Sequence, residues 1–230
     1  METPVQISRN RTAFHRELEH VQEEVLVLGS MVEKAVLRSV DALRRRDTAT
    51  ARIIEAEDVL INKKRFEIEE AALMLIATQQ PMASDLRRLA AVLQIVTDLE
   101  RMGDYASGIA RICIDIGDQP HIKPLIDIPR MAEKSVSMLR RSLDAFIERD
   151  VAAAESIARE DDEVDDLYQQ VYRELLTIML ANPRTIDQAT RLLWAAHNLE
   201  RVADRVQNIC ERVVFVVTGR MQELSRGSLG

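Results

Sequence analysis

Apolar residues recur along this chain at alternating steps of three and four, the pattern of helices that bury one face. The clearest run is Val92, Ile95, Leu99, Met102, Ala106, Ile109, Cys113 and Ile116. A second is Leu192, Ala195, Leu199, Val202, Val206, Ile209, Val213 and Val216, and a third is Phe14, Leu18, Val21, Val25, Leu28, Val32 and Ala35. Residues 30–80 and 130–182 contain neither Gly nor Pro. A straight helix of that length would run about 75 Å at the standard rise. Breaks are therefore expected at Arg46-Asp47-Thr48 and Arg149-Asp150-Val151, where Asp is a favoured N-cap. Pro81 and Pro183 end the helices before them. Gly117 to Pro129, with Pro120 and Pro124 between, reads as the linker. The pattern predicts six helices, at 11–46, 48–79, 83–117, 129–149, 151–181 and 184–218. The fold class is all-α: two antiparallel three-helix bundles with long helices, over 11–117 and 129–219, followed by a flexible tail at 220–230.

The two halves are copies of one another, which is the relation to look for early in a helical chain. Ser39-Val40-Asp41-Ala42 with Arg46-Asp47 returns as Ser142-Leu143-Asp144-Ala145 with Arg149-Asp150. Glu57-Asp58 and Ile61 return 103 positions on as Glu160-Asp161 and Val164. Leu99-Glu100-Arg101 with Asp104 and Ile109 returns 100 positions on as Leu199-Glu200-Arg201 with Asp204 and Ile209. The offset changes only near Pro81 and Pro183, where a loop absorbs the difference. Duplication explains so many ordered matches.

Composition removes other classes. The chain is 47% hydrophobic and only 3% aromatic, and its 7 Gly and 6 Pro are about half the usual joint share. Disordered and collagen-like chains are excluded, and an ordinary β-sandwich lacks its turn residues. A net charge of −7 argues against nonspecific nucleic-acid binding. The two cysteines, Cys113 and Cys210, lie in apolar helical patterns and read as reduced core residues. Met1 to His20 lacks the apolar core of a signal peptide, and the longest apolar runs are too short to span a bilayer. The expectation is a cytoplasmic protein with no direct membrane insertion, placed peripherally at most through partners.

Candidate chemistry sits on the repeated acids. Glu100 with Asp104, and Glu200 with Asp204, are four apart and share a helix face, opposite the Leu99/Met102/Ala106 seam. The second helices add Asp58 with Asn62, and Asp161 with Asp165. Helices two and three are neighbours in a bundle, so each half brings two oxygen-bearing pairs together. Such a set, with no Cys or repeated His, suits hard or borderline cations such as Mg²⁺, Ca²⁺, Mn²⁺ or iron. The same spacings also occur on ordinary solvated faces, and Glu160 to Asp166 is an acidic block of that kind. Glu17-x-x-His20 occurs once, whereas a ferritin-like di-iron site needs it twice. Trp194 stands beside a seam position and reads as packing. No phosphate-cradling Gly-rich loop and no nucleophile set with Ser/His/Asp or Cys/His is present.

With those motifs in place, TDLERMGDYA at 97–106 and HNLERVADRVQNI at 197–209 in a duplicated three-helix frame resemble the PhoU family of phosphate-signalling proteins. The resemblance runs from about Phe14 to Gly219. It implies two pseudo-symmetric three-helix bundles and Glu/Asp-x-x-x-Asp motifs at Glu100/Asp104 and Glu200/Asp204, which in some members carry multinuclear iron or zinc clusters. It also implies a non-enzymatic negative regulator of phosphate uptake and the phosphate-starvation response, linking the ATPase component of a phosphate ABC transporter to a sensor histidine kinase, and a homodimer is expected. Gly108 departs from the family pattern, where Asn often follows the motif Asp by four; Asn208 keeps it. Asn62 stands where the second repeat has Asp165, which makes the first repeat the poorer metal site. The metal, if bound, is left open between iron, zinc, manganese and magnesium. The reading from another class is a metal-dependent hydrolase or a metal-storage bundle. An enzyme should supply a pocket, a general acid or base and an open coordination position.

Overall fold

The computed structural model describes residues 4–224, with side chains described from Ala13 onward. Its helices are α1 (Pro4–Arg45), α2 (Thr48–Gln79), α3 (Ser84–Ile116), α4 (Asp127–Glu148), α5 (Val151–Arg159), α6 (Asp161–Ala181) and α7 (Ile186–Thr218), with a 3₁₀ turn at Pro183–Thr185. No strand occurs among the described residues. The corner predicted at Asp47 and at Asp150 is built the same way twice. Arg46 and Arg149 take left-handed backbone conformations, with φ of 60° and 58°. The next Asp then donates its N–H back to Ala42 or Ala145, at 2.9 and 3.0 Å. Asp47 caps α2 by accepting from the Thr50 N–H at 2.9 Å, and Asp150 caps the next helix by accepting from Ala153 N–H at 2.9 Å. Each Asp thus satisfies a backbone donor that the helix itself leaves open.

The single helix expected over 151–181 is instead two, broken at Glu160. The Arg141 guanidinium grips Glu160 through two bonds of 2.7 and 2.6 Å, and Lys134 stands 3.2 Å away. This holds the Glu160 carboxyl below the usual range, with the Arg141 hydrogen bond as the largest cause. The new N-terminus then places Asp161, Asp162 and Glu163 in the first turn of α6, where the helix dipole favours anions. Periodicity alone does not see this break, because its cause lies on α4.

α1, α2 and α3 form one bundle, and α4, α5/α6 and α7 the other. The two bundles do not stand apart. α3 lies along α7 and α1 along α4, so their seams merge into one apolar core. Every seam residue predicted on α3 and α7 is buried; on α1 the seam runs on through Val36, Val40 and Leu43, with Ala35 only half buried. Gly29 sets the α1–α4 approach, since a Cβ there would fall 2.3 Å from Leu143 Cδ1. The linker is fixed as well: Gln188 accepts from the Ile122 N–H at 2.7 Å and donates to the Pro120 carbonyl at 3.1 Å. α4 starts two residues earlier than predicted, because Pro129 fits the first helical turn. Beyond α7, Met221 is 67% exposed, while Leu224 is 2% exposed and its N–H donates to Glu211. The rest of the predicted tail, 225–230, lies outside the described residues. Both cysteines are free and buried, and burial pushes the thiol of Cys113 up to about 11 and that of Cys210 up to about 12. Among the described residues, no helix is long and apolar enough to cross a membrane.

Candidate acidic sites at the helix two and helix three junctions

The seam geometry turns the repeated acids toward the neighbouring helix. In the first repeat, Gly103 lets Ile61 of α2 nestle against α3, with a hypothetical Cβ only 3.0 Å from Ile61 Cδ1 and 3.7 Å from Asp58 Oδ1. Asp58 is thereby pressed against α3. Burial, then the Asp104 charge, raises its carboxyl above the usual range. Burial likewise raises Glu100 and Asp104, and in Glu100 the Asp104 charge adds to it. Asn62 donates to Asp58 Oδ2 at 3.3 Å, while Asp58 Oδ1 is buried with no hydrogen-bond partner. Glu100 is partly offset from within: Arg65 donates to it at 3.4 Å and to Glu69 at 2.9 Å.

The second repeat repeats the arrangement with more charge. Asp161, at the N-terminus of α6, is 7% exposed. Burial first, then the charges of Asp165, Asp204, Asp162 and Glu200, pushes its carboxyl up to about 7. Gln207 donates to Asp161 Oδ2 at 2.6 Å; Oδ1 is buried and without a hydrogen-bond partner. Asp204 is raised by burial and by Glu200, with Arg201, Arg205 and His197 acting the other way. His197 Nδ1 lies 2.6 Å from Glu200 Oε2. The structure therefore brings Asp58, Asn62, Glu100 and Asp104 into one electrostatically linked group, and Asp161, Asp165, Glu200 and Asp204 into another. Among the described residues, no three His, Cys, Asp or Glu side chains stand in a ready-made metal-holding arrangement.

Two features lay outside the sequence reading. His197 joins the second acidic group; its only sequence signal was its place three residues before Glu200. Asp98 is buried between the repeats, accepting from Asn208 at 3.1 Å and from Arg205 at 3.3 Å. It forms the inner wall of an open cleft of about 600 Å³ between α3 and α7, which Arg101 and Arg212 also line. At the other end of that interface Gly108 faces Asn198. The departure at Gly108 thus belongs to the α3–α7 contact. Trp194, expected to be packing, is 60% exposed, because its seam neighbour Ala195 takes the buried position.

The same helical frame recurs in known proteins. The family profile described as PhoU domain matches twice, at residues 25–113 and 128–213. The phosphate-specific transport system accessory protein PhoU homolog of Clostridium acetobutylicum is 38% identical over 216 residues, covering 94% of this chain and 99% of that one. The phosphate-specific transport system accessory protein PhoU of Escherichia coli is 35% identical, over 90% of this chain and 86% of its own. The crystal structure of PhoU from Pseudomonas aeruginosa superposes with a TM-score of 0.85 at 36% identity, over 90% of this chain and all of that one (100%). That of the phosphate transport system regulatory protein PhoU from Streptococcus pneumoniae also gives 0.85, at 32% identity, over 91% and 99%.

Proposed function

The chain belongs to the PhoU family, and from that premise we propose that it is a regulatory accessory protein of a phosphate transport system. It acts in the cytoplasm, restrains phosphate uptake and the starvation response, and does so by docking on the transporter's ATPase component and on the sensor histidine kinase. The relatives' names, which describe accessory proteins of transport, support this and support a non-catalytic role. The observation that carries the reading is the acidic group retained in both repeats, held by burial above its ordinary protonation range.

A metal fits the chemistry of the second group. Its donors are oxygens, and the buried Asp161 Oδ1 has no hydrogen-bond partner. Asp161, Asp165, Glu200 and Asp204 would hold it. A bound divalent cation would neutralise those carboxylates and tie α6 to α7. The chain's own part is to keep Asp161 fixed by Gln207 and to hold Glu200 against His197. The first group is the weaker holder, since Arg65 already offsets Glu100 and Asn62 contributes no charge. The test is binding of the transporter ATPase by metal-free and metal-loaded protein, wild type beside Glu200→Ala/Asp204→Ala. The reading expects binding by wild type and a loss of at least about tenfold in the folded double variant. Equal binding by both would overturn it, and equal binding by metal-free and metal-loaded wild type would remove the metal as a switch.

A further inference from the structure

The two repeats differ in where their acidic groups obtain positive charge. In the first, Arg65 of α2 reaches Glu100 and Glu69. The positions 103 further on are Tyr168 and Tyr172, so the second repeat has no arginine there. On α7, Trp194 and His197 stand where α3 has Gln94 and Thr97. Glu200, the counterpart of Glu100, therefore meets an imidazole at 2.6 Å instead of a guanidinium. The arginines that flank it on α7 are committed to α3: Arg201 donates to the Tyr105 hydroxyl at 3.1 Å and Arg205 to Asp98 at 3.3 Å.

The substituted positions form a surface hollow. The chain has one Trp and three Tyr, yet Trp194, Tyr168 and His197 line one open cavity of about 250 Å³. The His197 ring lies 6.0 Å from each of the other two, edge-on to Trp194 and tilted to Tyr168. Exposed aromatic faces beside a carboxylate attract cations, and Trp and Tyr are the residues that most often dominate protein interfaces.

We propose that this corner, walled by Trp194, Tyr168 and His197 with Glu200 at its edge, receives an arginine side chain of a partner protein, supplying in trans the guanidinium that Arg65 supplies within the first repeat. A guanidinium suits it better than an ammonium, because its plane stacks on rings while its fork pairs with a carboxylate. The partner is a protein segment and not a free small cation, since the apolar surface continues beyond the hollow. Tyr172 and Leu176, 42% and 41% exposed, follow Tyr168 at four-residue steps on one face of α6. A helix carrying the arginine would cover that ridge; a small cation would leave it in water. The inference deepens the accessory-protein reading and rests on it only for the class of partner.

The full-length chain tests it, in the presence of chelator. Trp194 is the sole tryptophan, so its fluorescence reports occupancy directly. The probe is a short helical peptide bearing one arginine, beside the same peptide with neutral citrulline. The arginine peptide is expected to shift Trp194 emission saturably and to bind about tenfold more tightly than the citrulline form. Tyr168→Arg, which places an internal guanidinium as in the first repeat, should abolish the preference while keeping a wild-type circular dichroism spectrum. Glu200→Gln should reduce it as a second, gentler variant. Absence of an arginine preference in wild type overturns the site, as does a preference retained in Tyr168→Arg. Transporter ATPase binding is measured in parallel. Loss of that binding in Tyr168→Arg supports protein docking here, and unchanged binding overturns it. If wild type binds the peptide but not the ATPase, the site stands and the choice of partner in the functional reading fails.

Discussion

Asp161 is the residue on which the electrostatics converge. It is buried beside four other carboxylates and its carboxyl is pushed up to about 7, against an ordinary value near 3.9. The folded state therefore holds this proton more tightly than the unfolded chain does. Its contribution to stability is complete below about pH 4 and is lost as pH rises through about 7. Asp58, Glu100, Asp104 and Asp204 are shifted in the same direction, by burial first in each case. In metal-free protein, Asp161→Asn is expected to raise the melting temperature at pH 8 and to change it little near pH 4. The gain is bounded by about 4 kcal/mol, the value of a three-unit shift. Thermal melts at both pH values check this, and an equal effect of the substitution at the two would show that Asp161 carries no buried charge. The same residue should make the chain responsive to cations: Mn²⁺ or Mg²⁺ should raise the melting temperature of wild type at pH 8 more than that of Asp161→Asn. Isothermal titration should find tighter binding at the second repeat than at the first. Stronger loss of affinity from Asp104→Asn than from Asp204→Asn would reverse that ranking.

At the scale of the helix, side-chain position relative to the seam decides the outcome of substitution. Leu99 and Leu199 are fully buried, so Leu99→Asp or Leu199→Asp strands a charge in the core at several kcal/mol and should unfold the protein. Glu100→Gln and Glu200→Gln, one residue away, should keep the fold. Equal losses in chemical denaturation for all four would mean that the faces are misassigned. The seams, the Asp47 and Asp150 caps and the acidic pairs were legible in the sequence, because each depends on residues a few positions apart. The break at Glu160 was not, because it depends on Arg141 and Lys134 reaching across from α4. Arg65 at Glu100 and Tyr168 near His197 were hidden for the same reason: the registration of α2 on α3, and of α6 on α7, is set by packing at positions such as Gly103 and Ile61.

The whole molecule is a duplicated bundle whose halves have kept their frame and diverged in their chemistry. The shared core along α3–α7 and α1–α4 packs the two repeats together. One acidic group is partly satisfied by its own arginine, and the other carries more negative charge beside an exposed aromatic wall. Duplication was readable from the repeated motifs, but this division of labour was not, since it appears only when Arg65 and Tyr168 are seen in equivalent places. From this division we expect the second repeat to be the working face. The direct measurement is a phosphate-starvation reporter in cells growing on ample phosphate, comparing Glu200→Ala/Asp204→Ala with Glu100→Ala/Asp104→Ala at matched, wild-type abundance. The account predicts derepression by the second-repeat variant and at most a partial effect of the first; full repression by the second-repeat variant would contradict it.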